Sequence, residues 1–161
     1  MLGSSNENNE TCEADVLQSP FDLDPGTPFT FTPVDNEDVI KLGYPVAIQS
    51  PTENPCKYGS TVWKLSSRNE VPAEIITTGG IINTPLSCLR ITRPRAPAFP
   101  ALDTYTLESC PFMCGVGGIK ICKPIGTYTS NYQRHLSPNA EWPFEFILIK
   151  ASESAVITAV V

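Results

Sequence analysis

The chain has 161 residues, 41% of them hydrophobic and 17% charged, which suits one domain with its own core and excludes a disordered or highly charged chain. Its net charge of −6 is lopsided: residues 1–53 carry ten acids and one base, Lys41, and the rest seven acids and ten bases. Without a dense basic run no nucleic-acid partner is expected, and without an apolar stretch near the ~20 residues of a bilayer-spanning helix no membrane is expected either.

Met1-Leu2 leads straight into a polar run ending at Glu10. That lacks a signal-peptide apolar core, and residues 1–8 are expected to form a disordered polar arm. Asn9-Glu10-Thr11 is a glycosylation sequon with Asn9 as acceptor. Cys12 is the first of six cysteines, and such a set points to an oxidising compartment. The cysteines and the missing leader disagree; a truncated product or a misplaced start would reconcile them.

Proline is poorly tolerated in helices and central strands, so 16 prolines predict short strands joined by ordered loops. Alternating or β-branched runs read as strands at 14–18, 28–32, 46–49, 61–65, 74–77, 89–92, 105–109, 119–122, 126–129 and 144–150. Between them stand the breakers Asp24-Pro25-Gly26, Ser50-Pro51 and Thr78-Gly79-Gly80, then 93–100 with three prolines, then 115–118. No dozen-residue segment keeps a 3.6-residue period free of Pro and Gly. The fold class is therefore all-β, a sandwich or a barrel, which periodicity does not separate.

Catalysis needs a nucleophile with its base, most often histidine. His135 is the single histidine, and it is expected as a surface hairpin residue. Gly115-Val116-Gly117-Gly118 lacks the Lys-Ser/Thr of a phosphate loop. Cys110, Cys114 and Cys122 lack paired-ligand spacing for zinc. No enzyme activity, cofactor or metal is expected. Trp63 is expected in the core, Trp142 either in the core or exposed, and Arg90, Arg93 and Arg95 on a solvated face.

Several landmarks then occur in a fixed order: Asn9-Glu10-Thr11-Cys12 with Asp15-Val16-Leu17-Gln18, Pro55-Cys56 with Ser60-Thr61-Val62-Trp63-Lys64-Leu65, and Thr77-Thr78-Gly79-Gly80. Tyr105-Thr106-Leu107 up to Cys110-Pro111, Gly126-Thr127-Tyr128, Arg134-His135-Leu136 and Pro143-Phe144 complete the set. The ordered set resembles the Kunitz (soybean trypsin inhibitor) family of plant protease inhibitors across residues 9–151. That resemblance implies a β-trefoil, a six-stranded barrel capped by hairpins, with 152–161 as a C-terminal tail. It implies a monomer, secreted or vacuolar, that binds a protease, of serine type foremost, without a cofactor.

The resemblance also implies disulfides Cys12–Cys56 and Cys110–Cys122, worth roughly 4 and 3 kcal/mol in chain entropy. Cys88 and Cys114 are left either bridged or as free buried thiols. Gly43-Tyr44-Pro45 matches the turn after the family's inhibitory loop, which places that loop on Pro33, Val34, Asp35, Asn36, Glu37 and Asp38. Asn36 takes the specificity position, or Asp35 with a one-residue shift. Members that block trypsin carry Arg or Lys there, facing a carboxylate, so an acidic loop disfavours trypsin. The loop has either changed its target or lost inhibition, leaving a storage or defence protein, a protein- or sugar-binding scaffold, or a non-functional truncated product. Family members have opening strands before the first cysteine, so this trefoil is expected to be incomplete at its N-terminus. The tail at 154–161 is either loose or pairs with the open edge.

Overall fold

Leu-Arg-Ile-Thr at Leu89–Thr92 buries Leu89 and Ile91 and leaves Arg90 and Thr92 half exposed, as a two-residue period demands of a strand with one wet face. The computed structural model describes residues 13–21, 24, 26–51, 59–115 and 118–150, with the backbone of 157–160. Asn9, Cys12, Cys56 and the expected Cys12–Cys56 bridge lie outside the described residues.

The strands are β1 (Leu17–Gln18), β2 (Pro28–Pro33), β3 (Pro45–Gln49), β4 (Lys64–Ser67), β5 (Glu74–Thr77) and β6 (Leu89–Thr92). Next come β7 (Thr106–Ser109), β8 (Lys123–Pro124), β9 (Gly126–Ser130), β10 (Gln133–Ser137), β11 (Ile147–Lys150) and β12 (Ile157–Val160). Short 3₁₀ turns occupy Pro85–Ser87 and Pro111–Cys114. Each opens with a proline, whose fixed φ suits a first helical position. The all-β expectation holds.

One sheet runs β11-β12-β2-β3-β6-β7-β8. Tyr105 and Phe146 exchange backbone hydrogen bonds of 2.8 and 3.0 Å, which joins the start of β7 to the lead-in of β11. That contact closes β11, β12, β2, β3, β6 and β7 into a ring of six staves. The hairpin β4-β5 is stitched on through Trp63 N–H to the Ile48 carbonyl at 2.8 Å, and β1-β10-β9 through Val16 N–H to the Ile76 carbonyl at 3.0 Å. Val46, Ile48, Trp63, Ile76, Leu89, Ile91, Leu107, Ile125, Leu136 and Phe146 fill the interior. Strands β2 to β7 and β10 thus contribute to one core.

One local alternative is resolved and three expectations change. Residues 157–160, in the tail left either loose or paired, form β12, which pairs Ile147↔Val160 through Lys150↔Ile157 with β11 and Ile157↔Phe29 with β2. The strand expected at 119–122 is absent: Ile119 and Ile121 are exposed, and ladder pairing begins only at Lys123↔Ser109. β10 was not expected, because His135, Leu136 and Ser137 are all buried and break alternation. Its hairpin turns through Asn131 and Tyr132, both at positive φ (49° and 63°), the two-residue geometry that matches strand twist without a glycine. His135 is the third.

Gly126 shows how tightly the hairpin layer sits. A Cβ there would lie 2.0 Å from the Trp142 carbonyl oxygen and 2.6 Å from the Ala140 Cβ, so only glycine fits.

Candidate functional site

β2 and β3 pair from Thr30↔Gln49 to Pro33↔Val46, and residues 34–44 form the loop between them. At its base the Val34 N–H donates to the Pro45 carbonyl at 3.2 Å. Pro33 and Val34 are half buried, whereas Asp35, Asn36, Glu37 and Asp38 are exposed. The Asp35 carboxylate accepts from the Glu37 N–H at 3.2 Å, the local turn that aspartate favours. Asn36 then reverses the chain at φ 59°, in the left-handed region that asparagine tolerates better than most residues. An extended, substrate-like backbone is not available at Asn36 itself.

The second half of the loop is pinned from beneath. Ile40 packs against the core cluster. The Gly43 N–H donates to the Ile91 carbonyl at 2.9 Å, and φ 79° at Gly43 needs a residue without a Cβ. Lys41 Nζ lies 3.8 Å from Glu37 Oε1 and 5.4 Å from the Tyr44 ring centroid. Both ion-pair partners are well exposed, so the pair steers geometry more than stability. The loop therefore presents three carboxylates against one ammonium. Beside them it exposes three apolar side chains, Val39, Leu42 and Tyr44, which stopping the loop at Asp38 had left out. An aliphatic residue between Asp38 and Gly43 was the available signal.

The cysteines resolve the alternative left open. Cys88 and Cys114 are bridged with Cα atoms 5.7 Å apart, and Cys110 and Cys122 with Cα atoms 4.4 Å apart. The two bridges are tied together by the Cys110 N–H donating to the Cys88 carbonyl at 2.8 Å. Glu108 lies beside Cys110 and Cys122, but those sulfurs are committed to each other and the carboxylate to Arg90 at 2.6 Å. That trio offers no thiolate to a metal.

His135 is 5% exposed, against the expected surface position. β10 lies between β1 and β9, and Ser137 Oγ donates to the Glu74 carbonyl at 2.6 Å, which brings β5 over the strand. His135 Nδ1 stands 3.5 Å from Asp15 Oδ2, and that carboxylate already holds Arg68. Burial pushes the imidazole pKa down, Asp15 pulls it up, Arg68 pushes it down and the Ser130 backbone raises it, with burial prevailing. No nucleophile is paired with it among the described residues, and the group reads as structural.

Trp63 is in the core, donating from Nε1 to Ser50 Oγ at 2.8 Å and meeting Phe29 edge-on at 4.8 Å between centroids. Trp142 is 74% exposed. Arg93 and Arg95 are exposed and Arg90 half-buried, as a solvated face requires; Arg90 is paired with Glu108, and Arg93 with Asp103 while stacked on Tyr105 at 4.4 Å. A cavity of about 240 Å³ opens beside β1 over Val16, Phe29, Trp63 and Phe144, and none of its lining residues belongs to 33–44.

Comparison with known proteins bears on this arrangement. The family described as "Trypsin and protease inhibitor" (Kunitz, legume type) matches residues 2–150. Kunitz trypsin inhibitor 5 of Arabidopsis thaliana is 27% identical over 138 residues, which cover 84% of this chain and 65% of that protein. The chain thus spans a little under two thirds of that relative. The 21 kDa seed protein of Theobroma cacao is 27% identical over 161 residues, 93% of this chain and 69% of that protein. Among solved structures, Alocasin, a protease inhibitor from giant taro, superposes with a TM-score of 0.65 at 25% identity, over 99% of this chain and 82% of its own. The closed six-stave ring with its hairpin layer is the β-trefoil of such inhibitors.

Proposed function

The chain belongs to the Kunitz family of plant trypsin and protease inhibitors, and from that premise we propose that it inhibits a serine-type protease through the β2–β3 loop, with Pro33–Asp38 as its acidic half. The observation that carries this reading is the bracing of the loop: its ends are joined through Val34 and Pro45, its middle is anchored by Ile40, and its far side is tied to Ile91. A loop ordered before binding loses little entropy on docking, so a small contact area suffices for tight inhibition. Asp35, Glu37 and Asp38 oppose a pocket that ends in a carboxylate, which disfavours trypsin. The two disulfides support an oxidising compartment, secreted or vacuolar. Inhibition by docking needs no cofactor and no catalytic group on the inhibitor.

A panel of trypsin, chymotrypsin, elastase, papain and pepsin tests the reading, with a variant in which residues 33–38 are replaced by a Gly-Ser linker. Inhibition of a serine protease other than trypsin, lost in the linker variant, is the expected result. Tight trypsin inhibition would refute the role given to the acidic loop. Inhibition of none would favour the second reading, a storage protein on the same scaffold, to which the likeness to a cacao seed protein lends support.

A further inference from the structure

We propose that the β6–β7 loop, residues 93–105, is a second docking element on the target protease, with Phe99 and Leu102 seated on an apolar patch of the enzyme outside its active-site cleft. This rests on the proposed role of the β2–β3 loop and adds a contact beside it.

Strand pairing places the two loops on one rim of the barrel. β3 starts at Pro45 opposite Arg90, and β3 and β6 are antiparallel, so β6 ends level with the close of the β2–β3 loop. The Gly43 N–H on the Ile91 carbonyl at 2.9 Å marks that level, and Arg93 follows two residues later. Thr92 pairs with Thr106, so the chain returns to the same rim. Neighbouring strands lie about 4.8 Å apart, whereas a stable interface covers about 800 Å² on each partner. A protease that grips residues 34–44 therefore reaches the next loop along.

That loop is built to be touched. Residues 96–102 carry no polar side chain, and every one of them is exposed, Phe99 by 62% and Leu102 by 54%. A continuous apolar run facing water marks a contact surface. Its tip is a turn, closed by the Leu102 N–H donating to the Phe99 carbonyl at 3.0 Å, with Pro100 in the second position that proline favours. The ends of such a turn lie within about 7 Å of each other, so Phe99 and Leu102 form one apolar site.

The loop is also fixed before contact. Arg93 crosses its neck, with Nη1 3.2 Å from Asp103 Oδ1 and 3.4 Å from the Thr104 carbonyl and the guanidinium stacked on Tyr105. Glu145, in the lead-in to β11, accepts from the Ala98 N–H at 2.8 Å and from the Thr104 hydroxyl at 2.9 Å. Pro94, Pro97 and Pro100 lock their own φ and keep the residues before them out of helical backbone. A loop held this way loses little entropy on docking. Its uncharged tip selects an apolar patch, while the carboxylates of the first loop face the polar rim of the cleft.

The experiment takes whichever of trypsin, chymotrypsin and elastase the wild type inhibits most tightly. Inhibition constants and dissociation rates are measured for the wild type, the double variant Phe99→Ala/Leu102→Ala, the 33–38 linker variant and Ile119→Ala. All substituted side chains in the point variants are exposed, and matching thermal unfolding curves will confirm intact folding. The double variant should weaken inhibition roughly 10- to 100-fold, mostly through faster dissociation. Ile119, exposed but preceding β8 at the other end of β7, should tolerate alanine within about threefold. A double variant within threefold of the wild type, with inhibition lost in the linker variant, overturns the second contact and leaves the β2–β3 reading standing. If that double variant instead loses self-association in sedimentation, the patch belongs to a second copy and the proposal falls. Weakening by the double variant alone, with the linker variant fully active, supports the β6–β7 contact and overturns the β2–β3 reading. Inhibition of none of the three enzymes overturns both.

Discussion

Removing the Cys88–Cys114 bridge by the double substitution Cys88→Ala and Cys114→Ala should cost the fold about 3.5 kcal/mol. The bridge closes a loop between residues 26 apart in sequence, and the chain-entropy relation for a loop of that length gives about that value at 25 °C. Replacing both cysteines avoids leaving a buried thiol without a partner. For a domain of this size, each kcal/mol corresponds to roughly 2–4 °C, so the melting temperature should fall by about 7–14 °C. The bridge holds the turn at Pro85–Ser87 against the turn at Pro111–Cys114, where a Cβ on Gly115 would come within 2.7 Å of Pro85. Both turns should therefore loosen together. Urea unfolding of wild type and variant, read by Trp63 fluorescence in a Trp142→Phe background, measures the change. A loss below about 1 kcal/mol would refute the reasoning. Uptake of an alkylating reagent by Cys88 or Cys114 in the folded, unreduced protein would refute it more directly.

Two further outcomes follow from the fold. Deleting residues 151–161 removes β12 from between β11 and β2 and leaves two unpaired edges; at about 1 kcal/mol net per ladder hydrogen bond the loss should exceed ~2 kcal/mol, with self-association visible by size-exclusion chromatography. An unchanged urea midpoint would show that the sixth stave is dispensable. His135 has a native pKa depressed below its ordinary 6.5, so the folded state binds fewer protons than the unfolded one. Its share of stability is complete above about pH 6.5 and declines as pH falls from there toward the depressed native value. Urea midpoints at pH 7.5 and pH 5 should differ less in His135→Gln than in the wild type, and equal differences would remove His135 as the cause.

Much of the wall was legible because each strand with one wet face announces itself. Leu89 and Ile91 alternate with Arg90 and Thr92, and the prolines and glycines mark where such runs stop. Ile119-Lys120-Ile121 carries the same pattern yet forms no ladder, because alternation records which faces differ, not whether a neighbouring strand is there to pair. β10 went unread for the opposite reason: covered by β5 as well as flanked by β1 and β9, it has no wet face along 135–137, and the period vanishes.

The site divides in the same way. The family resemblance placed an acidic loop on Pro33–Asp38; in the structure Pro33 ends β2 and residues 34–44 connect it to β3. Which of its side chains is presented depends on the left-handed turn at Asn36 and on the anchoring of Ile40 against residues from distant strands.

Read alone, the sequence determined that this is a small β protein with cysteines to crosslink, a buried Trp63 and a negatively charged first half, since these depend on residue type and near-neighbour spacing. Only the tertiary structure decided that Cys88 finds Cys114, that His135 is shut away from water and that residues 157–160 complete the barrel wall. Each of those is a contact between segments far apart along the chain, and such contacts are selected by how the whole core closes rather than by any local pattern.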